Sequence, residues 1–220
     1  MIIRSYIMIE NKILRANARN QLGGRIFEMP WLAMLAVFFV YGAVMTAAAG
    51  TTLGIGAIII SGPMLYGVNR ICVKQVRGRD IVLDDAISGF KECFVGSFLL
   101  SFITALYTLL WTLLFIVPGI VKSYAYAMAP YILQDSPNLN ATECLDKSQK
   151  MMKGNKWQLF CLDFSFVGWY IVGALCLGVG TLWVTPYHNM ARANFYMALK
   201  AKEESEYAES VGFEPVNPFN

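Results

Sequence analysis

Residues 31–50 read WLAMLAVFFVYGAVMTAAAG and contain no charged side chain. A helix of about 20 apolar residues is long enough to cross the hydrocarbon core of a bilayer. Residues 53–68 and 93–117 are also free of charge, and residues 157–187 contain one charged residue, Asp163. The sequence therefore predicts an all-α fold, a polytopic transmembrane helical bundle.

The composition of the 220-residue chain agrees with this prediction. Hydrophobic residues make up 56% of the chain and charged residues 15%, whereas a soluble domain is about 25% charged. The formal net charge is +3, and the basic residues flank the apolar runs instead of forming one basic face. We therefore expect no nucleic acid among its partners.

The number of spans depends on two weaker apolar runs, at 119–134 and 180–199. Lysine and arginine near the ends of spans stay on the cytoplasmic side. With four spans, 5 of the 18 basic residues would lie outside, all of them within residues 118–156. With six spans, 17 of the 18 lie inside, and Lys122 alone is left near the outer surface. We therefore predict six spans arranged as three helical hairpins, with both termini cytoplasmic.

The predicted organisation has three parts. A basic amphipathic segment at 1–29 and an acidic tail at 201–220 lie in the cytoplasm, and a transmembrane domain at 30–200 lies between them. The spans are predicted at 31–50, 53–76, 93–117, 119–134, 157–178 and 180–199. We expect the tail to be disordered because it is acidic and polar.

Residues 5–22 are predicted to form a basic amphipathic helix. Its basic and apolar side chains lie on two faces, with Lys12, Arg15 and Arg19 on one and Ile9, Ile13 and Ala16 on the other. Such a helix binds membrane lipids, and anionic lipid at the inner leaflet in particular. The simpler interpretation is a positive flank that orients the first span.

Residues 139–153 are predicted to form a second interfacial helix. Asn140 and Glu143 have the spacing of a capping box at its start. Its apolar stripe includes Leu145 and Met152, and its other face is charged. The stripe is expected to lie on the membrane or on the spans of the protein, and a partner helix is the alternative occupant.

Each return helix of the three predicted hairpins carries a proline, and these are Pro63, Pro130 and Pro186. Proline removes a helical hydrogen bond and bends the helix. Three bends at similar depth would open a vestibule towards the inner leaflet. The alternative is that proline is simply frequent in membrane helices.

Small residues recur every four positions in the first span, at Gly42, Thr46 and Gly50. A stripe of this kind lets another helix approach closely. It is compatible with a homo-oligomer or with a different membrane-protein partner.

The sequence contains little that is typical of catalysis. It has one histidine, His188, and five cysteines that form no CxxC pair, so neither a three-histidine metal site nor a Ser-His-Asp triad is predicted. It has no glycine-rich phosphate loop. Acidic residues at 80, 84 and 85 lie among arginines, which favours ion pairs over a cation site. We expect no metal, no cofactor and no enzymatic activity.

Asp163 is the strongest candidate for a functional residue. It lies in an apolar span, where an ionisable side chain is costly and usually has a role. His188 and Arg192 on the following helix are its candidate partners. The alternative is a structural polar clamp between the last two helices.

Several short motifs resemble one family over most of the chain, from about Arg15 to Lys200. They include Ile116-Val117-Pro118-Gly119-Ile120, Ala129-Pro130-Tyr131-Ile132-Leu133, Met152-Lys153-Gly154, Ser165-Phe166-Val167-Gly168-Trp169 and Leu182-Trp183-Val184. Together they resemble the bacterial membrane-protein family known as domain of unknown function 975. The resemblance implies the bacterial cytoplasmic membrane and no particular activity. The leading hypothesis is a non-enzymatic protein that binds or translocates a small molecule or lipid, and the alternative is a scaffold or subunit of a membrane complex.

The six-span topology predicts that residues 138–156 and both termini are cytoplasmic. Single cysteines at positions 149 and 205 of a cysteine-free variant should both resist an impermeant thiol reagent in intact cells. Labelling at 149 but not at 205 would contradict six spans and favour four.

Overall fold

The computed structural model describes residues 11–22, 29–51, 55–79, 83–175 and 179–211. Within these ranges every regular element is helical, which confirms the all-α prediction. The helices are α1 (Asn11–Gln21), α2 (Met29–Thr51), α3 (Ile55–Val76), α4 (Ser88–Lys91), α5 (Phe94–Leu114), α6 (Ile116–Tyr126), α7 (Ala129–Asp135), α8 (Ala141–Met151), α9 (Lys156–Leu175) and α10 (Val179–Val211). A 3-10 turn at Leu83–Ile87 precedes α4. Residues 5–10 of the first predicted helix and residues 212–220 of the tail lie outside the described ranges.

Four of the described helices are long and apolar enough to cross a membrane: α2, α3, α5 and α9. At 1.5 Å per residue, about 20 residues span roughly 30 Å, the thickness of the hydrocarbon core. Large apolar side chains on these helices face outward, and Leu113 is 83% and Leu175 79% exposed. An apolar surface of this extent is the one that lipid-facing helices present.

Helix α3 lies at the centre and contacts α2, α5, α7 and α10. Its contact with α5 requires a glycine, because a Cβ at Gly62 would lie 2.5 Å from the carbonyl oxygen of Ser97. The backbones of α3 and α5 are therefore pressed together without an intervening side chain.

Helix α6 folds back along α5. The chain reverses at Phe115, whose backbone is extended with φ −156° and ψ 136°. Close to the turn, a Cβ at Gly119 would lie 2.7 Å from the Cα of Thr112. Farther from it, the rings of Tyr126 and Tyr107 are 6.3 Å apart. Residues farther before the turn therefore contact residues farther after it, which means that α5 and α6 are antiparallel.

The predicted helix at 119–134 is two helices in the structure. Helix α6 ends at Tyr126 and α7 begins at Ala129, with Pro130 in its first turn. Proline lacks an N–H, which is no loss in the first turn of a helix. Pro130 therefore starts a helix and does not bend one, in contrast to Pro63 within α3 and Pro186 within α10.

Helix α10 continues well past the predicted end of the last span at 199. It is helical to Val211, so the expectation of a disordered tail is wrong for residues 201–211. The reason lies in helix-forming residues with favourable charge spacing, such as Lys202 four residues before Glu206.

Helix α1 rests on the protein itself. Leu14, Ala18 and Leu22 are buried, and α1 contacts α10, α3 and α9. The face that packs on the protein is therefore not the predicted apolar face, on which Ile13 is 49% exposed and Ala16 is exposed too. The short helix has two overlapping apolar stripes, and the stripe that includes Leu14 is the one that packs against α10.

Helix α8 also packs on the chain's own helices, namely α5, α6 and α7. Leu145 and Met152 are buried. At its start, the carboxylate of Glu143 accepts a hydrogen bond of 2.8 Å from the backbone N–H of Asn140. Packing against helices of the same chain leaves this stripe no room for a separate partner helix.

Ser148 of α8 connects the two halves of the predicted return span. Its hydroxyl donates to the carbonyl of Ala125 at 2.8 Å and accepts from the N–H of Met128 at 3.2 Å. The break between α6 and α7 would otherwise leave buried backbone groups without partners. One side chain thus stabilises the interruption and holds α8 in place.

Replacing Leu145 with lysine should lower the free energy of unfolding by about 2–3 kcal/mol, because a charge would replace a buried apolar side chain. Chemical denaturation in detergent micelles measures the change. The matched control is Thr142→Lys on the exposed face of the same helix, which should leave stability unchanged. Equal stability of the two variants would show that the Leu145 face is solvated.

Candidate functional site

Asp163 lies at the contact between α9 and α10. Its Oδ1 is 2.8 Å from Nε2 of His188 and 3.0 Å from Nε of Arg192, and Nη2 of Arg192 contacts Oδ2. His188 and Arg192 are four residues apart on α10, so both face α9. The Asp163 side chain is 12% exposed. The structure therefore brings all three candidate polar residues together.

His188 uses both of its ring nitrogens. Nδ1 lies 3.2 Å from the hydroxyl of Tyr170, opposite the Asp163 contact. The ring also packs on Phe166, with 4.7 Å between centroids. Because both carboxylate oxygens of Asp163 and both nitrogens of His188 hold protein partners, the arrangement is well suited to clamp α9 against α10.

A second carboxylate with little exposure, Asp135, whose side chain is 10% exposed, joins the ends of α7 and α3 to the middle of α10. Nη2 of Arg77 lies 2.8 Å from both of its oxygens. The hydroxyl of Tyr196 donates to Oδ2 at 3.0 Å, and Nζ of Lys200 lies 2.7 Å from the same oxygen. We call Asp135, Arg77, Tyr196 and Lys200 the Asp135 hub. It fixes the end of α7 to the end of α3 and to α10.

The hub keeps Asp135 ionised. Burial alone would raise its pKa, but hydrogen bonds from Lys200 and Arg77 and the charges of both outweigh burial. The pKa of Asp135 is therefore below its ordinary value. A charged carboxylate with three donors is a strong structural connection when all its partners are in place.

The acidic residues of the loop before α5 form ion pairs with basic residues, as their surroundings predict. Asp85 lies 3.3 Å from Nε of Arg70, and Arg70 also contacts Glu92. Lys91 pairs with Asp84. Asp80 lies outside the described residues. These pairs hold the start of α5 next to α3.

Two cavities flank the hub. The larger, about 660 Å³, lies between α1, α3 and α10, and its wall includes Arg77, Arg79 and Lys200. The smaller, about 380 Å³, lies towards α8 and has Lys147 and Tyr207 in its wall. Asp135 and Lys200 line both cavities, so the hub is the partition between them.

Helix α1 closes one side of the larger cavity. Gln21 and Asn194 exchange two side-chain hydrogen bonds, of 2.7 and 3.2 Å. Gln75 donates to the carbonyl of Gln21 at 2.9 Å. These bonds attach the end of α1 to α3 and α10, so the cavity wall depends on the helix that precedes the first span.

The other predicted residues lie apart from these cavities. Neither Pro63 nor Pro130 nor Pro186 is part of either wall, so the vestibule expected from the prolines is not one of the two. Lys122 reaches Gln149 of α8 at 3.1 Å and lies 5.2 Å from the Trp111 ring. Because α8 belongs to the segment predicted to be cytoplasmic, the expected position of Lys122 near the outer surface is wrong if that segment is cytoplasmic.

The Asp135 hub is not predicted by the sequence patterns. Asp135 is the last residue of α7 and Arg77 lies just past the end of α3, and this shared position at helix ends was the available signal. It does not reveal which of the many basic residues is the partner, because 58 residues separate the two.

Comparison with known proteins gives one match. The model of the family described as Protein of unknown function (DUF975) matches residues 113–203. The matched segment includes Asp135, Asp163, His188, Arg192 and Lys200. No curated protein and no solved structure matches the chain.

Replacing Asp163 with asparagine should destabilise the protein by about 3 kcal/mol, because the substitution leaves Arg192 without its counter-charge. This is the lower end of the range for buried pairs, since 34% of the Arg192 side chain is accessible. Thermal and chemical unfolding in micelles measure the loss.

A double-mutant cycle tests whether the loss belongs to the pair. Adding Arg192→Gln or His188→Gln to Asp163→Asn should recover part of the stability. Strictly additive effects would reject the pairing. Unchanged stability of Asp163→Asn together with loss of a binding or transport signal would instead make Asp163 a functional residue.

Proposed function

We propose that this chain, whose residues 113–203 match the model of the domain of unknown function 975 family, is a six-span protein of the bacterial cytoplasmic membrane that binds a small molecule or lipid. Translocation of that ligand is part of the same hypothesis. The proposal has a topological part and a binding part, and different contacts support each.

Contacts at one end of the bundle support six spans. Asp135 at the end of α7 meets Arg77, just past the end of α3, and Glu92, just before α5, meets Arg70 of α3. The segment α5–α6–α7 therefore begins and ends on the same side as the end of α3. A segment that starts and finishes at one membrane face crosses an even number of times.

The last two helices agree with this topology. Asn11 at the start of α1 donates to the carbonyl of Gln158 at the start of α9, at 3.3 Å, and Gln21 at the end of α1 bonds Asn194 of α10. The start of α9 and the middle of α10 thus meet the same helix. With the basic residues at this end, both termini and residues 138–156 are cytoplasmic.

The larger cavity carries the binding part of the proposal. A volume of about 660 Å³ lies within the range of roughly 300–1,000 Å³ that small-molecule sites occupy. Its wall combines apolar side chains such as Val76 and Met197 with a few polar groups. It is located at the cytoplasmic end, where a soluble ligand or a lipid headgroup has access.

The position of the single histidine supports a function without catalysis. The single histidine, His188, is held between Asp163 and Tyr170, and neither cavity wall includes it. A general acid or base must be within hydrogen-bond reach of the reacting group. His188 is therefore not placed to act as general acid or base on a ligand in either cavity, and this is the support for a non-enzymatic function.

The alternative function, a scaffold or subunit of a membrane complex, has one observation in its favour. Gly42, Thr46 and Gly50 lie on an exposed face of α2. No atom of the described residues comes within 4 Å of a Cβ built at Gly42 or Gly50. This face is open to a helix from a second copy or from another membrane protein.

Native mass spectrometry of protein extracted in mild detergent tests the binding function. Wild-type protein should retain a ligand in 1:1 stoichiometry. Ala201→Trp, which fills the cavity that Ala201 lines, should lose it. Ala174→Trp at an exposed position of α9 is the matched control and should keep it.

Two results would count against this function. Retention of the ligand by Ala201→Trp would place the site elsewhere. Wild-type protein without a ligand, but with a stoichiometric membrane-protein partner, would favour the scaffold.

A further inference from the structure

We propose that the larger cavity binds a negatively charged phosphate group, with Arg79, Arg77 and Lys200 as its ligands. The inference rests on the proposed function, since it names the chemical class of the ligand for the same cavity. It depends on the balance of charge in the wall, on the donors that remain free and on the position of the cavity.

Cationic side chains outnumber acidic ones in this wall. Arg77, Arg79 and Lys200 face two acids, Asp135 and Glu204. Asp135 is shared between Arg77 and Lys200, so one carboxylate neutralises only one of those two cations. With Glu204 and Arg79 counted as well, the described wall has one net positive charge for an anionic ligand.

Arg79 adds a cation of its own. It is exposed and forms no ion pair with any residue in the described ranges. It follows the left-handed turn at Gly78, where φ is +66°, and its backbone N–H is bonded to the carbonyl of Lys74 at 2.9 Å. The backbone that carries Arg79 is therefore held next to the cavity, and no residue of the described ranges forms an ion pair with its guanidinium.

Arg77 also retains donors. All of its hydrogen bonds to Asp135 come from one nitrogen, Nη2. A guanidinium has five N–H donors, and Nε and Nη1 donate to no residue of the described ranges, so both can serve a ligand. Two arginines that present planar N–H groups to one cavity suit the tetrahedral oxygens of a phosphate better than a single carboxylate or a neutral ligand.

Uncharged amides complete the wall. Asn17 and Gln21 of α1 and Asn194 of α10 line the same cavity. Gln21 and Asn194 are bonded to each other, which leaves Asn17 as the amide that is free of a hydrogen bond within the described residues. Amides of this kind suit the hydroxyl or ester oxygens that adjoin a phosphate in a lipid headgroup or a soluble metabolite.

The cavity lies next to the ends of the apolar segments of α3 and α10. In the proposed topology this position is at the level of the lipid headgroups. A phosphate could therefore come from an anionic phospholipid of the inner leaflet or from a soluble phosphate compound. The two sources offer the same charged group to the arginines, and experiment separates them.

Thermal unfolding of the delipidated full chain in micelles tests the inference. Inorganic phosphate should raise the melting temperature of wild-type protein relative to chloride at equal ionic strength. Arg79→Gln should weaken the apparent affinity for phosphate at least tenfold, because one of three cationic ligands is removed. Lys153→Gln is the matched control, since it removes one exposed charge away from the cavity and should bind phosphate as wild type does.

A second arm identifies the source of the phosphate. The same proteins are placed in nanodiscs of phosphatidylcholine with or without phosphatidylglycerol. Stabilisation by phosphatidylglycerol that depends on Arg79 supports a headgroup, and stabilisation by inorganic phosphate alone supports a soluble ligand.

Three results would overturn the inference. They are no stabilisation of wild-type protein by phosphate or by phosphatidylglycerol, equal effects on wild type and Arg79→Gln, and equal losses in Arg79→Gln and Lys153→Gln. The mass-spectrometric experiment distinguishes this failure from failure of the proposed function. If the retained ligand contains no phosphate, the proposed binding function stands and only the phosphate inference fails.

Discussion

The buried carboxylate of Asp135 is the constraint on which the arrangement of the helices depends. With 10% of its side chain exposed, it needs partners that replace water, and a buried charge without them is strongly destabilising. Its partners, Arg77, Tyr196 and Lys200, come from the end of α3 and from the middle of α10. Because Asp135 needs these partners, the end of α7 has to lie beside α3 and α10 at the charged end of the bundle. The segment α5–α6–α7 therefore has to return to that end.

The remaining polar contacts extend this arrangement. The Asp163 contacts clamp α9 to α10, and the bonds of Gln21 attach α1 to α3 and α10. Away from these junctions the helices present large apolar side chains outward, such as Leu113. Lipid does not drive apolar helices together as water does, so hydrogen-bonded junctions and close backbone contacts such as Gly62 against Ser97 contribute much of the specificity. The same junctions enclose the cavity.

Local patterns predict the helical class and four of the long apolar helices, because uninterrupted apolar runs such as residues 31–50 depend on no distant contact. The contact of Asp163 with His188 and Arg192 follows from spacing along two consecutive helices, while its role remains a prediction. The Asp135 hub joins residues up to 65 positions apart, which spacing does not reveal. The break before Ala129 needs Ser148 to stabilise it, and the buried face of α1 is selected by α10. Each of these features depends on a tertiary partner that periodicity does not identify.

The stability of wild-type protein and Asp135→Asn, compared as the pH falls, tests the role of the hub most directly. The pKa of Asp135 in the folded protein is lowered, so its contribution is fully present above the ordinary carboxyl pKa of about 3.9 and is lost as the pH falls through the lower folded value. Wild type should be clearly more stable than Asp135→Asn from neutral pH down to about pH 5, and the gap should close in stronger acid. Glu206→Gln, at an exposed position of α10, should show no such gap. Equal stability of wild type and Asp135→Asn at neutral pH would contradict the account.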